Sequence, residues 1–412
     1  MKVLFVCLDD YPYSGACTKL LNNLLFDGNL KQSFDEVHVI SNDRTNGVRK
    51  SFIYNGIKIH PVPVWSSFSL KKIKEIAFVR MGFALSIIAH KIGNRILKLI
   101  NPAFFYNYFD SLTIGKEIDS VVSKESIDII IPIAGYFSSI AASLKIKREE
   151  IRVFPYLVDP CSTNETFPVG KKKGCKQLER KMSEKGEKII VTPLIFEEFN
   201  KGITGFTKNN LLKMEFPSVV KKQIRPGSKT IKDSIDIVFC GRLYAGRNIY
   251  YFLELLDLLP DLDIHFKMVG VSEKEVDISV ITMRVELLGY QTLDNCEWYL
   301  NNADFLVNFG NSMLNQVPSK VFDYISRGIP IINVCKTKDC PSIPYIKKYP
   351  YAINLIEDPS LVLEQKSELY EFIVNTLNRR CSAEEIEKTY KECTPDYCAK
   401  MINTFLEKKE NE

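Results

Sequence analysis

Lys320 and Asp323 stand one helical turn apart in Asn315-Gln-Val-Pro-Ser319-Lys320-Val-Phe-Asp323-Tyr-Ile-Ser-Arg-Gly328-Ile-Pro330-Ile-Ile. A lysine ammonium is a point charge suited to a phosphate, and a carboxylate accepts hydrogen bonds from ribose hydroxyls. Ser319, Lys320 and Asp323 form a polar stripe, while Val321, Phe322 and Ile325 form an apolar one, as on a helix with one face buried. The spacing predicts a helix over 317–327, stopped by Gly328 and followed by a buried strand from Ile329. Asp323 can equally be a solvated helix residue, and Asn315 a loop residue flanking the helix.

A second cluster lies in Asp236-Ile-Val-Phe-Cys-Gly241-Arg242-Leu-Tyr-Ala-Gly246-Arg247-Asn248, ahead of a helical pattern over 249–259. A glycine turn between a buried strand and a helix presents amide donors, and Arg242 and Arg247 supply the charge that a diphosphate needs. The plainer reading makes these arginines solvated or carboxylate-paired. Further on, Gly289-Tyr-Gln-Thr292 follows another strand, and Thr292 fits a helix cap with Asp294 and Glu297 behind it.

Acidic candidates occur in the first half. The run Asp9-Asp10-Tyr-Pro-Tyr-Ser14-Gly15-Ala16 joins a strand to a helix beginning near Thr18, so Ser14 and Gly15 belong at a strand-end loop. Asp9 or Asp10 there can orient a hydroxyl or merely close a turn. Asp159, in Tyr156-Leu-Val-Asp159-Pro160, follows a buried strand, although its place before a proline also suits a purely conformational role. No histidine occurs between His90 and His265.

The elements that must position these groups are legible as short apolar runs. They fall at 3–8, 37–40, 57–62, 127–133, 153–157 and 189–191, and again at 235–240, 264–269, 285–288, 305–308, 330–334 and 352–355, with helical patterns between. Such alternation marks an α/β fold with doubly wound parallel sheets. The polar, turn-rich segment after Phe216-Pro217 reads as a linker, giving domains at 1–218 and 235–394, a linker at 219–234, and a terminal helix at 395–412. A chain of 412 residues suits two domains of about 200 residues each. Ligands are expected beyond the carboxyl ends of the strands, in a cleft between domains.

Composition excludes several classes. A net charge of +5 is too small for a dedicated nucleic-acid binder. The amino terminus has one lysine and six apolar residues before two acids, which is a strand rather than a signal peptide. No run approaches the roughly 18 apolar residues of a spanning helix, so a cytoplasmic protein is expected. Eleven cysteines are scattered without a Cys-x-x-Cys pair or a neighbouring histidine, so buried free thiols are expected and a zinc site is not. Asp261-Leu-Asp263 precedes a strand at the wrong end for a ligand, so no metal or other cofactor is expected.

One segment stands apart. Between 70 and 100, Lys71, Lys72, Lys74, Arg80, Lys91, Arg95 and Lys98 face a single acid, Glu75, among many apolar residues. Either it lies on an anionic membrane surface, making the protein peripheral there, or it packs on the first sheet with a solvated basic edge.

The Gly241-Arg242-Leu turn and the 315–332 stretch together resemble the donor site of GT-B glycosyltransferases, especially the family-4-like enzymes. The resemblance implies two tandem Rossmann-like domains. It implies a donor site of Gly241, Arg242, Arg247, Ser319, Lys320 and Asp323, with Arg242, Arg247 and Lys320 clamping the diphosphate. The nucleotide base would border 289–292, and Ser14 and Gly15 would lie on the acceptor side. The family's two glutamates with seven residues between them map onto Asn315 and Asp323, so both positions depart from the pattern. Asp159, Asp10 and Asn315 are the candidates for the reacting centre. The implied activity is transfer of a sugar from a nucleotide-sugar to a glycan or lipid-linked glycan during surface polysaccharide assembly, with retained anomeric configuration. A non-catalytic nucleotide- or glycan-binding subunit is the rival reading. A dinucleotide-dependent oxidoreductase is disfavoured because neither first strand leads into Gly-x-Gly-x-x-Gly.

Overall fold

The computed structural model describes residues 1–43, 49–101, 104–231, 233–243, 249–277, 284–311 and 313–407. The chain divides into two compact units, Met1–Pro217 with Pro395–Glu412, and Ser218–Thr394.

The first unit carries β1 (Lys2–Val6), β2 (Glu36–Asn42), β3 (Phe52–Tyr54), β4 (Ile57–Val62), β5 (Ile129–Pro132) and β6 (Arg152–Val153) in the order β3-β4-β2-β1-β5-β6. All neighbours are parallel except β3 and β4. That antiparallel pair turns at Asn55 and Gly56, both with positive φ, as a two-residue hairpin requires. The expected strand over 153–157 is broken, because Pro155 offers no N–H to a ladder. Beyond it, β7 (Tyr156–Leu157) pairs with β8 (Ile189–Val191), and β8 with β9 (Leu211–Lys213). Ile133 forms a parallel bridge to Tyr156, which joins the two parts. The helix Pro395–Glu407 belongs to this unit, where Arg152 Nη1 donates to the Leu406 carbonyl at 2.9 Å and Phe405 meets the Phe154 ring edge-on at 5.9 Å.

Two histidines inside this sheet carry a pH dependence. His38 and His60 are 1% and 5% exposed, with stacked rings and His38 Nδ1 3.1 Å from His60 Nε2. His38 Nε2 lies 3.2 Å from a Glu36 carboxylate oxygen and Ser51 Oγ 3.4 Å from His60 Nδ1. One proton arrangement satisfies the chain: Ser51 donates to His60, His60 to His38, and His38 to Glu36. Both rings are then neutral, and burial lowers both pKa values, that of His60 to about 4. Unfolded histidine titrates near 6.5, so the unfolded chain takes up protons first as pH falls. Stability is therefore full above about pH 6.5 and declines between about 6.5 and 4, by roughly 2–3 kcal/mol for His60. Urea midpoints at pH 7.5 and 5 should show this loss, and His60→Gln should flatten it.

The second unit is a single parallel sheet of β10 (Ile235–Cys240), β11 (Ile264–Val269), β12 (Val285–Gly289), β13 (Phe305–Phe309), β14 (Ile331–Cys335) and β15 (Ala352–Ile356). Its order, β12-β11-β10-β13-β14-β15, is the doubly wound 3-2-1-4-5-6 pattern. Every residue of β13 and β14 is buried, as expected for strands covered on both faces. Asn308, Asn333 and Asn354 hold the register of β13, β14 and β15 by side-chain amide bonds of 2.7 Å. The second unit begins at Ser218, and the described residues of 219–234 carry no helix or strand. All eleven cysteines are free and nine are buried.

Candidate functional site

In the 3-2-1-4-5-6 sheet, the chain leaves β10 towards one edge and β13 towards the other, opening a crevice beyond their carboxyl ends. Gly241 ends β10, and the segment 310–319 leads from β13 into the helix Lys320–Ile325. The two sequence clusters therefore meet at the switch point. This helix is shorter than the periodicity over 317–327 suggested, yet its burial follows the pattern: Val321, Phe322 and Ile325 are fully buried. Gly328 ends it with φ +69° and has no room for a side chain, since a Cβ would fall 2.5 Å from the Cys381 carbonyl oxygen.

Tyr324 ties the helix to the sheet, its hydroxyl accepting the Cys240 N–H at 3.0 Å. Burial holds that phenol far above its usual pKa, so it stays protonated and the contact persists. One turn earlier, Lys320 reaches over the end of β10. Its Nζ is withdrawn from solvent, 4.5 Å from the Phe239 ring centroid and 1.4 Å from where a Cβ on Gly241 would sit. Gly241 has φ +143°, so both its conformation and the lysine require glycine. Gly270 and Gly289, ending β11 and β12, also have positive φ, and the Gly270 N–H donates to the Gly289 carbonyl at 2.7 Å. Gly270 in turn lies against Gly241, a Cβ there falling 3.2 Å from the Gly241 carbonyl oxygen.

Arg242 is exposed, with its guanidinium 5.8 Å from the ring centroid of exposed Tyr290. Arg247 falls outside the described residues. Thr292 caps the helix Leu293–Asn301, accepting the Asn295 N–H at 3.3 Å. Ser319 is exposed and makes no capping hydrogen bond, while Asn315 is half-buried in the loop that Asn311 closes by donating to the Gln316 carbonyl at 3.0 Å.

Asp323 is not a simple solvated residue. Lys222 Nζ is 3.1 Å from its Oδ1, and Arg327 Nη2 is 3.1 Å from its Oδ2. Arg327, with a side chain only 1% exposed, also holds Glu297 at 2.8 Å, and this pairing keeps the Glu297 carboxyl below its usual range despite partial burial. Such a network fixes an ionised carboxylate at one place and angle. The spacing of four between Asp323 and Arg327 was a readable signal for it, whereas Lys222 lay hidden in a segment that looks like linker.

At the switch point of the first unit, between β1 and β5, Asp9 Oδ2 accepts the N–H groups of Cys17 at 2.8 Å and Thr18 at 3.1 Å. Asp9 therefore starts the helix Ala16–Asn22. Gly15 has φ +122° and lies against this carboxylate, 2.1 Å from Oδ2 to its would-be Cβ. Asp10 pairs with Arg49 at 3.2 Å, and its carbonyl closes a turn by accepting the N–H groups of Tyr13 and Ser14. Asp159 is half-buried past the end of β7; burial first, and then the negative charges of Asp9 and Asp159 among others, hold the Cys17 thiol well above its usual pKa. Gly135, which sequence reasoning passed over, lies beside Cys17 and Asp9: a Cβ there would be 2.7 Å from Cys17 Sγ and 3.9 Å from Asp9 Oδ1.

Asp261 and Asp263 precede β11, at the amino end of the sheet, opposite Gly241 and Lys320. Among the described residues one group, Glu36, His38 and Glu125, has metal-ligand spacing, but Lys2 and Lys58 already pair with its two carboxylates.

No protein-family model and no curated protein sequence matches this chain. Solved structures do. HepE of Anabaena, crystallised with UDP, superposes with a TM-score of 0.62 at 11% identity, over 98% of this chain and 99% of its own. A glycosyltransferase from Rickettsia africae gives 0.60 at 12% identity, over 99% of each chain. A UDP-N-acetylglucosamine 2-epimerase, so described, from Listeria monocytogenes gives 0.54 at 11% identity, over 100% of this chain and 98% of its own. The chain has the GT-B fold of two Rossmann-like domains.

Proposed function

We propose that this GT-B chain is a nucleotide-sugar-dependent glycosyltransferase that builds a glycan or lipid-linked glycan of a surface polysaccharide. The observation that carries the reading is the Lys320 ammonium seated on Gly241 at the switch point of the second sheet. Amide groups at a glycine turn and a lysine out of water suit a diphosphate whose charge grows as it leaves. The GT-B neighbours support the same reading, one of them bound to UDP.

In this proposal Arg242 and Arg247 complete the clamp around Lys320. Ser319 adds a hydroxyl, and Asp323, held by Lys222 and Arg327, accepts the donor ribose hydroxyls. The bond between the anomeric carbon and the diphosphate oxygen breaks, and the acceptor hydroxyl oxygen takes its place and gives up its proton to the departing diphosphate. Asp159, Asp10 and Asn315 are the groups we assign to the reacting centre, with Ser14 and Gly15 on the acceptor side and anomeric configuration retained. The chemistry assigned to these residues calls for no metal. We place the enzyme in the cytoplasm, at the inner face of the cell membrane.

The test is a panel of nucleotide-sugars screened for thermal stabilisation, then for release of nucleoside diphosphate with acceptor glycans present. Release that depends on acceptor supports transfer. Acceptor-independent conversion of a UDP-N-acetylhexosamine would instead make the chain an epimerase on the same fold. A second reading, a nucleotide-binding subunit without turnover, draws on Asn315 in place of an acid and on both Asp323 oxygens being held by cations. Donor binding with no turnover on any acceptor would select it.

A further inference from the structure

The helical pair Leu70–Val79 and Met81–Ile100 has two apolar faces, and the protein covers only one of them. Ile73, Ile76, Ala84 and Ile87 pack on Trp65 and Phe68, with Phe83 and Phe109 alongside. His90 stacks on Trp65 at 4.4 Å, and Asn94 accepts the Phe109 N–H at 3.0 Å, which pins the long helix to the first unit. Packing on the unit's own core thus accounts for the inner face completely.

On the outer side, Met81, Leu85, Ile88, Ile92, Ile96 and Leu99 follow one another at intervals of three and four, a straight stripe along a 20-residue helix. All six are exposed, Leu99 at 87%, and Phe78 on the preceding helix is 95% exposed. Water is a poor surrounding for so continuous a row. The exposed charges beside it are Lys71, Lys74, Arg80 and Arg95 against Glu75 alone. A second copy of this helix would set cation against cation along the seam, whereas a surface of anionic headgroups over acyl chains matches both the stripe and its charge. No helix among the described residues is long and apolar enough to cross a membrane, so the fit is to lying in its surface.

We propose that residues 70–100 dock this protein onto anionic lipid bilayers. The stripe from Met81 to Leu99 and Phe78 enter the acyl boundary, and Lys71, Lys74, Arg80 and Arg95 contact the headgroups. This gives physical form to the membrane location proposed above and is independent of donor chemistry, so either can fail alone.

The full chain should co-sediment with vesicles containing phosphatidylglycerol at low salt, and about tenfold or more weakly with phosphatidylcholine vesicles or in high salt. Ile88→Glu with Ile92→Glu should abolish sedimentation, and Lys71→Gln with Lys74→Gln should weaken it about tenfold or more. These side chains face solvent or carry exposed charge, so melting temperatures should stay near native. No binding of the native chain to phosphatidylglycerol vesicles at low salt would overturn the proposal, as would native-like binding by the doubly acidic variant. A dimer that this variant dissociates, without vesicle binding by the native chain, would give the face to a second copy instead.

Discussion

Lys320→Ala is expected to abolish stabilisation by the best nucleotide-sugar and to lower kcat/KM by about 10²–10³-fold, the usual effect of removing one charged or hydrogen-bonding partner of a developing anion. Among the described residues of the proposed clamp, Lys320 is the cation that the helix–sheet contact positions directly, through Tyr324 and Cys240. The ligand-free variant should still fold and melt cooperatively, because Tyr324 keeps the helix tied to the end of β10. Isothermal titration with the donor, alongside the melt, separates the two effects. Native-tight donor binding by Lys320→Ala would remove the clamp from consideration.

Gly241→Ala is expected to cost about 1–3 kcal/mol of stability, from a non-glycine residue held at φ +143°, and to lose donor binding nearly as completely as Lys320→Ala. The methyl would occupy the place where the lysine ammonium sits, 1.4 Å from its Nζ, so Lys320 must swing away. A double-mutant cycle tests that reason. Gly241→Ala with Lys320→Ala should bind donor no worse than either single variant, and should be more stable than the sum of their losses predicts, because the collision partner is gone. Strict additivity in both stability and binding would show that the two residues do not act on each other.

Much of this was legible beforehand because its signals are periodic. Strands buried on both faces appear as continuous apolar runs, and twelve such runs separated by helical patterns leave little choice but doubly wound sheets. The hairpin at Asn55-Gly56 was equally readable from its turn residues, but β3 is only the three residues Phe52–Tyr54, too short a run to mark a strand by itself. Pro155 also announced the break between β6 and β7, a local fact that the apolar run obscured.

The site divides along the same line. Residue types and local spacing placed Gly241, Lys320 and Asp323 in strand-end loops and on a helix face, and Gly328 at that helix's end. They could not say which loops meet, since that follows from strand order, and β10 lies beside β13 only once the sheet has formed. Nor could they show that Asp323 is gripped by Lys222, 101 positions away, that Asp9 serves its own helix, or that helix 81–100 keeps a second apolar face in water. A 3.6-residue period reports that a helix has an apolar side, while what covers that side depends on neighbours that only the tertiary structure supplies.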